Sequence, residues 1–108
     1  MATDVIDTTT ILQAGVRTSV HTVATGKRDV VTVTVTNQSG TAAVYSVYRR
    51  PSGASQLDEQ AFVDNEPLSS PGSGESAPKV LGAGTTIDAI SDVADVAVWV
   101  NGISQDIE

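Results

Sequence analysis

No cysteine occurs anywhere in the chain, which excludes a disulfide framework, a zinc knuckle and a thiol nucleophile. Histidine is nearly as scarce: His21 stands alone in a strand-like run, with no residue at a suggestive spacing to serve as its nucleophile or orienting partner. His21 is therefore read as a half-exposed strand side chain rather than a general base. Only Tyr45, Tyr48, Phe62 and Trp99 are aromatic, so the core must be aliphatic, and the large anchors that usually line a deep ligand pocket are missing. Cations are outnumbered as well. Six basic against thirteen acidic residues leave a net charge of −7, which repels phosphate backbones, argues against nucleic-acid binding and points to protein partners. No apolar run approaches the roughly 20 residues of a membrane span, and Met1-Ala2-Thr3-Asp4 carries neither a basic nor an apolar stretch. The expectation is a soluble protein made in the cytoplasm, with no membrane partner.

Valine, threonine, serine, alanine and glycine dominate what is present, a mix that favours strands and turns over helices. At 108 residues the chain has room for one domain with a single core, large enough to fold without staples. The clearest element lies between Arg28 and Arg50. Val31, Val33 and Val35 alternate with Thr32, Thr34 and Thr36, so one face of a pleated strand is wholly aliphatic. Asn37-Gln38-Ser39-Gly40 supplies turn chemistry, and Ala43 to Arg50 reads as the second strand of a hairpin.

The remaining segments follow from their punctuation. Residues 1–9 are polar and read as a flexible N-terminal arm. Short strands are expected at 10–13, 16–23, 61–63, 79–81, 85–90 and 95–101, with Asn101-Gly102 ending the last of them. Pro51 to Ser55 is a loop by composition. Pro67 to Pro78 holds three prolines, two glycines and four serines, and reads as a long surface loop, either an interaction element or a tolerated insertion. Seven or eight short strands separated by Gly, Pro, Asn and Ser turns give an all-β fold, an antiparallel β-sandwich of Ig-like or jelly-roll-like type over residues 10–108.

Catalytic equipment is thin. Carboxylates stand at Asp58, Glu59, Asp64, Glu66, Asp88, Asp92 and Asp95, but none falls in a recognised cation-binding loop. Solvated charges at strand ends account for them, so no metal and no cofactor is expected. Lys27-Arg28 and Arg49-Arg50 lack interleaved aromatics or a glycine-rich phosphate cradle, which assigns them to acidic groups of this chain or of a protein neighbour. In the last strand Val96, Val98 and Val100 share the core face, leaving Trp99 opposite. An outward tryptophan is either an interface anchor or is covered by the chain's own loop or arm. Tyr48 beside Arg49 and Arg50 forms a second patch of contact-surface composition. Tyr48, Arg49, Arg50 and Trp99 are the candidate partner contacts.

The order of segments carries a further signal. VHTVATGKRDVVTVTVTNQSGTAAVYSVYRRPSG, a variable middle, then KVLGAGTTIDAISDVADVAVWVNGI resembles a group of small virion proteins of tailed bacteriophages, over residues 20–103. Val23-Ala24-Thr25-Gly26-Lys27 departs from that pattern with alanine in place of proline, and Thr85 replaces the acidic residue after Gly84. The resemblance transfers no catalytic residue. It implies a non-enzymatic virion protein, a head decoration or cement protein bound to the major capsid protein or other virion proteins, assembled in the host cytoplasm and homo-oligomeric on the particle. Two other classes remain open: a tail, baseplate or fibre-adaptor protein, and a carbohydrate-binding module using Trp99 and Tyr48 as sugar platforms.

Overall fold

Alternation of valine with threonine or polar residues sets the architecture, because each strand has one face to bury and the chain makes no helix among the described residues. The computed structural model describes residues 3–51, 60–76 and 78–107. Nine strands run in the order β1 (Thr3–Leu12), β2 (Thr18–Thr22), β3 (Lys27–Asn37), β4 (Ala43–Arg50), β5 (Gln60–Leu68), β6 (Gly72–Glu75), β7 (Lys79–Leu81), β8 (Thr86–Ser91) and β9 (Val96–Asp106). One sheet has the order β1-β9-β3-β6, with β7 also on β3; the second has the order β2-β8-β4-β5. All strand pairs are antiparallel.

The pairing is nested: β1 with β9, β2 with β8, β3 with β6 and β7, β4 with β5. That is a long antiparallel ribbon folded so that successive pairs alternate between two sheets, the jelly-roll arrangement, with β6 and β7 together filling one strand position. The expected all-β sandwich is what forms, and of its two variants the topology is that of the jelly roll. Val31, Val33, Val35, Val96, Val98 and Val100 from the first sheet meet Val20, Val47, Ile87 and Ala89 from the second, all buried. Burying each such aliphatic side chain contributes about 1.5–3 kcal/mol. Tyr45 crosses the core from β4, and its hydroxyl lies where a Cβ on Gly74 would stand only 2.5 Å away, so any side chain at position 74 would require the Tyr45 ring to shift.

Four expectations change. β3 and β4 do not form a hairpin: β3 pairs with β9, β6 and β7, while β4 pairs with β5 and β8 in the other sheet. The Asn37–Gly40 turn is an arch between sheets. Its geometry is set by Asn37, fully buried, whose Nδ2 donates to the carbonyls of Thr41 (2.7 Å) and Leu68 (3.1 Å) while Oδ1 accepts from the Ser39 amide (2.9 Å) and hydroxyl (2.7 Å). Residues 3–9, expected as a loose arm, are paired position by position with β9 from Thr3↔Gln105 onward, because Ile6 and Leu12 have core sites to fill. Half of the expected 67–78 loop is strand, the end of β5 and all of β6: β6 needs few apolar groups since β3 supplies its ladder from Thr34 to Asn37. Finally, β9 does not stop at Gly102. It continues to Asp106, and Gly102 sits mid-strand because a Cβ there would overlap the Val30 carbonyl oxygen. The expected 51–55 loop lies, after Pro51, outside the described residues.

Candidate interaction surfaces

Each sheet turns its second face to solvent, and the candidate contact residues divide between the two. Trp99 stands on the outer face of β9, 42% exposed, its indole Nε1 donating to Asp7 Oδ1 on β1 at 2.7 Å. Among the described residues only the edge of β1, through Asp7, touches its polar side, and no loop covers it. The hydrogen bond satisfies the polar edge and leaves the apolar body outward, the usual posture of an amphipathic aromatic at a contact surface. Two rows away on the same face, Val5, Ile103, Val30 and Val80 are in register across β1, β9, β3 and β7. Val5 is 82% and Val80 66% exposed. Charge is sparse here: Asp7 holds Trp99, Arg28 Nη2 donates to Gln105 at 3.2 Å, and Glu75 accepts from the Thr34 hydroxyl at 3.2 Å. The face thus combines an aromatic and an aliphatic row with few charges, the composition that marks the centre of an interface.

The outer face of the second sheet is built around a buried charge. Asp88, on β8, is expected from sequence as a solvated carboxylate, yet it is almost wholly inaccessible. Ser19 Oγ donates to Oδ1 at 2.8 Å, Arg17 Nε to Oδ2 at 3.2 Å, and Arg50 to both oxygens at 3.3 and 3.4 Å. The Arg17 guanidinium also lies 4.5 Å from the centre of the Tyr48 ring, a cation–π contact. Burial alone would raise the Asp88 carboxyl; the hydrogen bonds from Ser19, Arg50 and Arg17 outweigh it and hold it below the ordinary carboxylate value. Tyr48 and Arg50 therefore belong to one fixed cluster, and Arg49, half-buried, points to the opposite side of the strand. Beside the cluster a shallow cleft of about 220 Å³ is lined by Gly15, Val44, Ser46, Asn65, Ile90, Ser91 and Asp92.

Trp99 and the Tyr48–Arg50 cluster consequently lie on opposite faces of the sandwich, and no single surface contains both. The same separation denies Trp99 and Tyr48 a common sugar platform. Lys27, at the start of β3, bridges Asp106 (2.6 Å) and Asp4 (3.4 Å), so both basic pairs reach acidic groups of this chain, Lys27 here and Arg50 through Asp88. The hydrogen bond to Asp106 is the main reason its ammonium titrates above the ordinary lysine value.

One partnership was invisible in the sequence. His21 on β2 places Nε2 2.6 Å from Asp29 Oδ2 on β3, a hydrogen bond between the two sheets, with Asp29 buried. His21 therefore has the orienting carboxylate it lacked by spacing; among the described residues no Ser, Thr or Tyr hydroxyl bonds to its ring. Nor do three His, Asp or Glu side chains converge on a metal-sized site among those residues. Asp58 and Glu59 lie outside them.

The fold has relatives in virus particles. The chain is similar to one in the crystal structure of the T13 IBDV viral particle, with TM-score 0.57 and 13% identity over 94% of this chain and 30% of the other. A chain of the infectious bursal disease virus Gx strain matches with TM-score 0.54 and 12% identity, over 95% of this chain and 32% of that one. This chain thus spans about a third of the length of each. At such identity the likeness is one of fold. No protein-family model matches the sequence, and no curated protein does.

Proposed function

We propose that this protein is a non-enzymatic structural component of a virion, a decoration or cement protein that docks on the head of a tailed bacteriophage. The observation that carries the reading is the two-faced surface of a thin body, 45 × 28 × 19 Å. Trp99 with the Val5–Val80 row faces one way, and Tyr48 with Arg50 and Arg17 faces the other. A subunit of that shape can be held between two neighbours and works by area: many shallow contacts, repeated over a lattice, resist the internal pressure of packaged DNA. The likeness in fold to viral particle chains and the resemblance in segment order to phage virion proteins both support it.

The contacts assigned are Trp99 on the first sheet and Tyr48, Arg49 and Arg50 on or beside the second, with the major capsid protein or another virion protein as partner. Truncating an aromatic anchor at an interface typically costs 2 kcal/mol or more, about thirtyfold in affinity. Trp99→Ala and Tyr48→Ala should therefore each deplete the protein from purified particles at limiting concentration; Trp99→Ala should leave thermal unfolding little changed, whereas Tyr48→Ala also loses the Arg17 cation–π contact. Full occupancy of both variants would reject these contacts. A tail or baseplate position would instead give a low fixed copy number.

A further inference from the structure

The first sheet ends at β1, whose outer edge carries no strand among the described residues. Edges of this kind are normally blunted by proline, by lysine, by a bulge or by extreme shortness. β1 has no proline, no lysine and no bulge: Thr3–Leu12 runs ten residues in unbroken register with β9, and its charges are Asp4 and Asp7 alone. Its outward-facing side chains read Val5, Asp7, Thr9, Ile11. That series is close to a palindrome centred on Thr8.

We propose that two copies of this chain join through their β1 strands, antiparallel and two-fold symmetric about Thr8, to make one continuous sheet across the pair. Self-complementarity picks this occupant and this register. With Thr8 opposite Thr8 of the second copy, Val5 faces Ile11 and Asp7 faces Thr9 on the outer face, while Ile6 faces Thr10 and Asp4 faces Leu12 on the inner one, so the outer apolar pair matches and no carboxylate directly opposes another. A shift of one residue would mismatch inner and outer faces, and the next alternative on the Asp7 side would place Asp7 against Asp7. The pairing also extends a row already present: Val80, Val30, Ile103 and Val5 of one copy continue into Ile11 and Ala97 of the other. Val5 and Ile11, 82% and 53% exposed, are the apolar side chains this would cover. Both outer faces stay open, so the pairing is independent of the virion reading and compatible with it.

The absence of cysteine gives a single-site test of register. In the full chain, Thr8→Cys should form a covalent dimer under mild oxidation, because a residue on the two-fold axis meets its own copy at about 4.5–5.5 Å, within disulfide reach. Thr10→Cys, which would face Ile6 of the second copy, should not. Sedimentation velocity of the unmodified protein should show a monomer–dimer equilibrium that tightens with added salt as the −7 charges are screened. The double variant Val5→Asp, Ile11→Asp should weaken it roughly tenfold or more, whereas Val5→Lys with Ile11→Asp should retain it. A monomer up to millimolar concentration, or equal cross-linking at positions 8 and 10, would overturn the proposal. Loss of particle binding with the dimer intact would count only against the virion reading.

Discussion

Replacing Asn37 by alanine should cost the fold about 3–5 kcal/mol, as follows from the groups it leaves behind. The side chain is fully buried and uses both ends: Nδ2 serves the Leu68 and Thr41 carbonyls and Oδ1 serves the Ser39 amide and hydroxyl. The Thr41 carbonyl keeps the Ser39 hydroxyl as a donor at 2.9 Å. The Leu68 carbonyl and the half-buried Ser39 amide lose the bonds described here; a buried group left unsatisfied costs about 1–3 kcal/mol and the half-buried amide about 1, together about 2–4 kcal/mol. A small cavity adds of order 1 kcal/mol. Asn37→Asp should be at least as damaging at neutral pH, since a carboxylate cannot donate and would face two carbonyl oxygens. Urea unfolding followed by Trp99 fluorescence and by far-ultraviolet circular dichroism measures the loss. With a slope near 1.5 kcal/mol per molar, the midpoint should fall by about 2–3 M at unchanged slope. Gln38→Ala, one residue on and exposed, should move stability by less than about 0.5 kcal/mol. A midpoint shift below about 0.5 M for Asn37→Ala would refute the claim that this amide holds the arch between the sheets.

Gly102→Ala should be among the most damaging single substitutions, because its Cβ would overlap the Val30 carbonyl oxygen and stand 2.9 Å from Val30 C and Val31 Cα, backbone that cannot swing aside; thermal unfolding would lie at least 10 °C lower, for a loss above about 3 kcal/mol. Acid stability should depend on Asp88. Its folded-state value is below the ordinary 3.8, so its contribution is complete above that value and is lost as pH falls through the lower folded one; Asp88→Asn should be less stable at neutral pH and show a flatter acid limb in urea titrations across pH. Trp99, the chain's one tryptophan, should shift its emission to shorter wavelength and lose accessibility to iodide when the protein binds particles; unchanged emission at full occupancy would remove it from the interface.

The valine alternation in β3 and β9 was legible because period-two burial is a local property, and it correctly turned Trp99 outward. The partner of each strand was not legible. Asn37-Gln38-Ser39-Gly40 has the chemistry of a hairpin turn, but the same residues serve an arch once Asn37 can reach Leu68, thirty-one positions away. Residues 3–9 looked too polar to dock, since an edge strand with one covered face needs only Ile6 and Leu12. The Asp88 cluster joins residues 71, 69 and 38 positions apart, and His21 meets Asp29 across two sheets, so spacing along the chain carried no trace of either. Asn101-Gly102 read as a terminator because Asn-Gly carries turn chemistry; here Gly102 permits the close approach of β9 to β3.

Direct imaging of purified particles together with quantitative gel analysis tests the place of this protein in a virus particle most directly. The expected result is this chain in many copies at lattice-related positions on the head, with a sheet face carrying Trp99 or Tyr48 against the capsid surface. Its absence from purified particles, or a few copies confined to the tail, would contradict the decoration role.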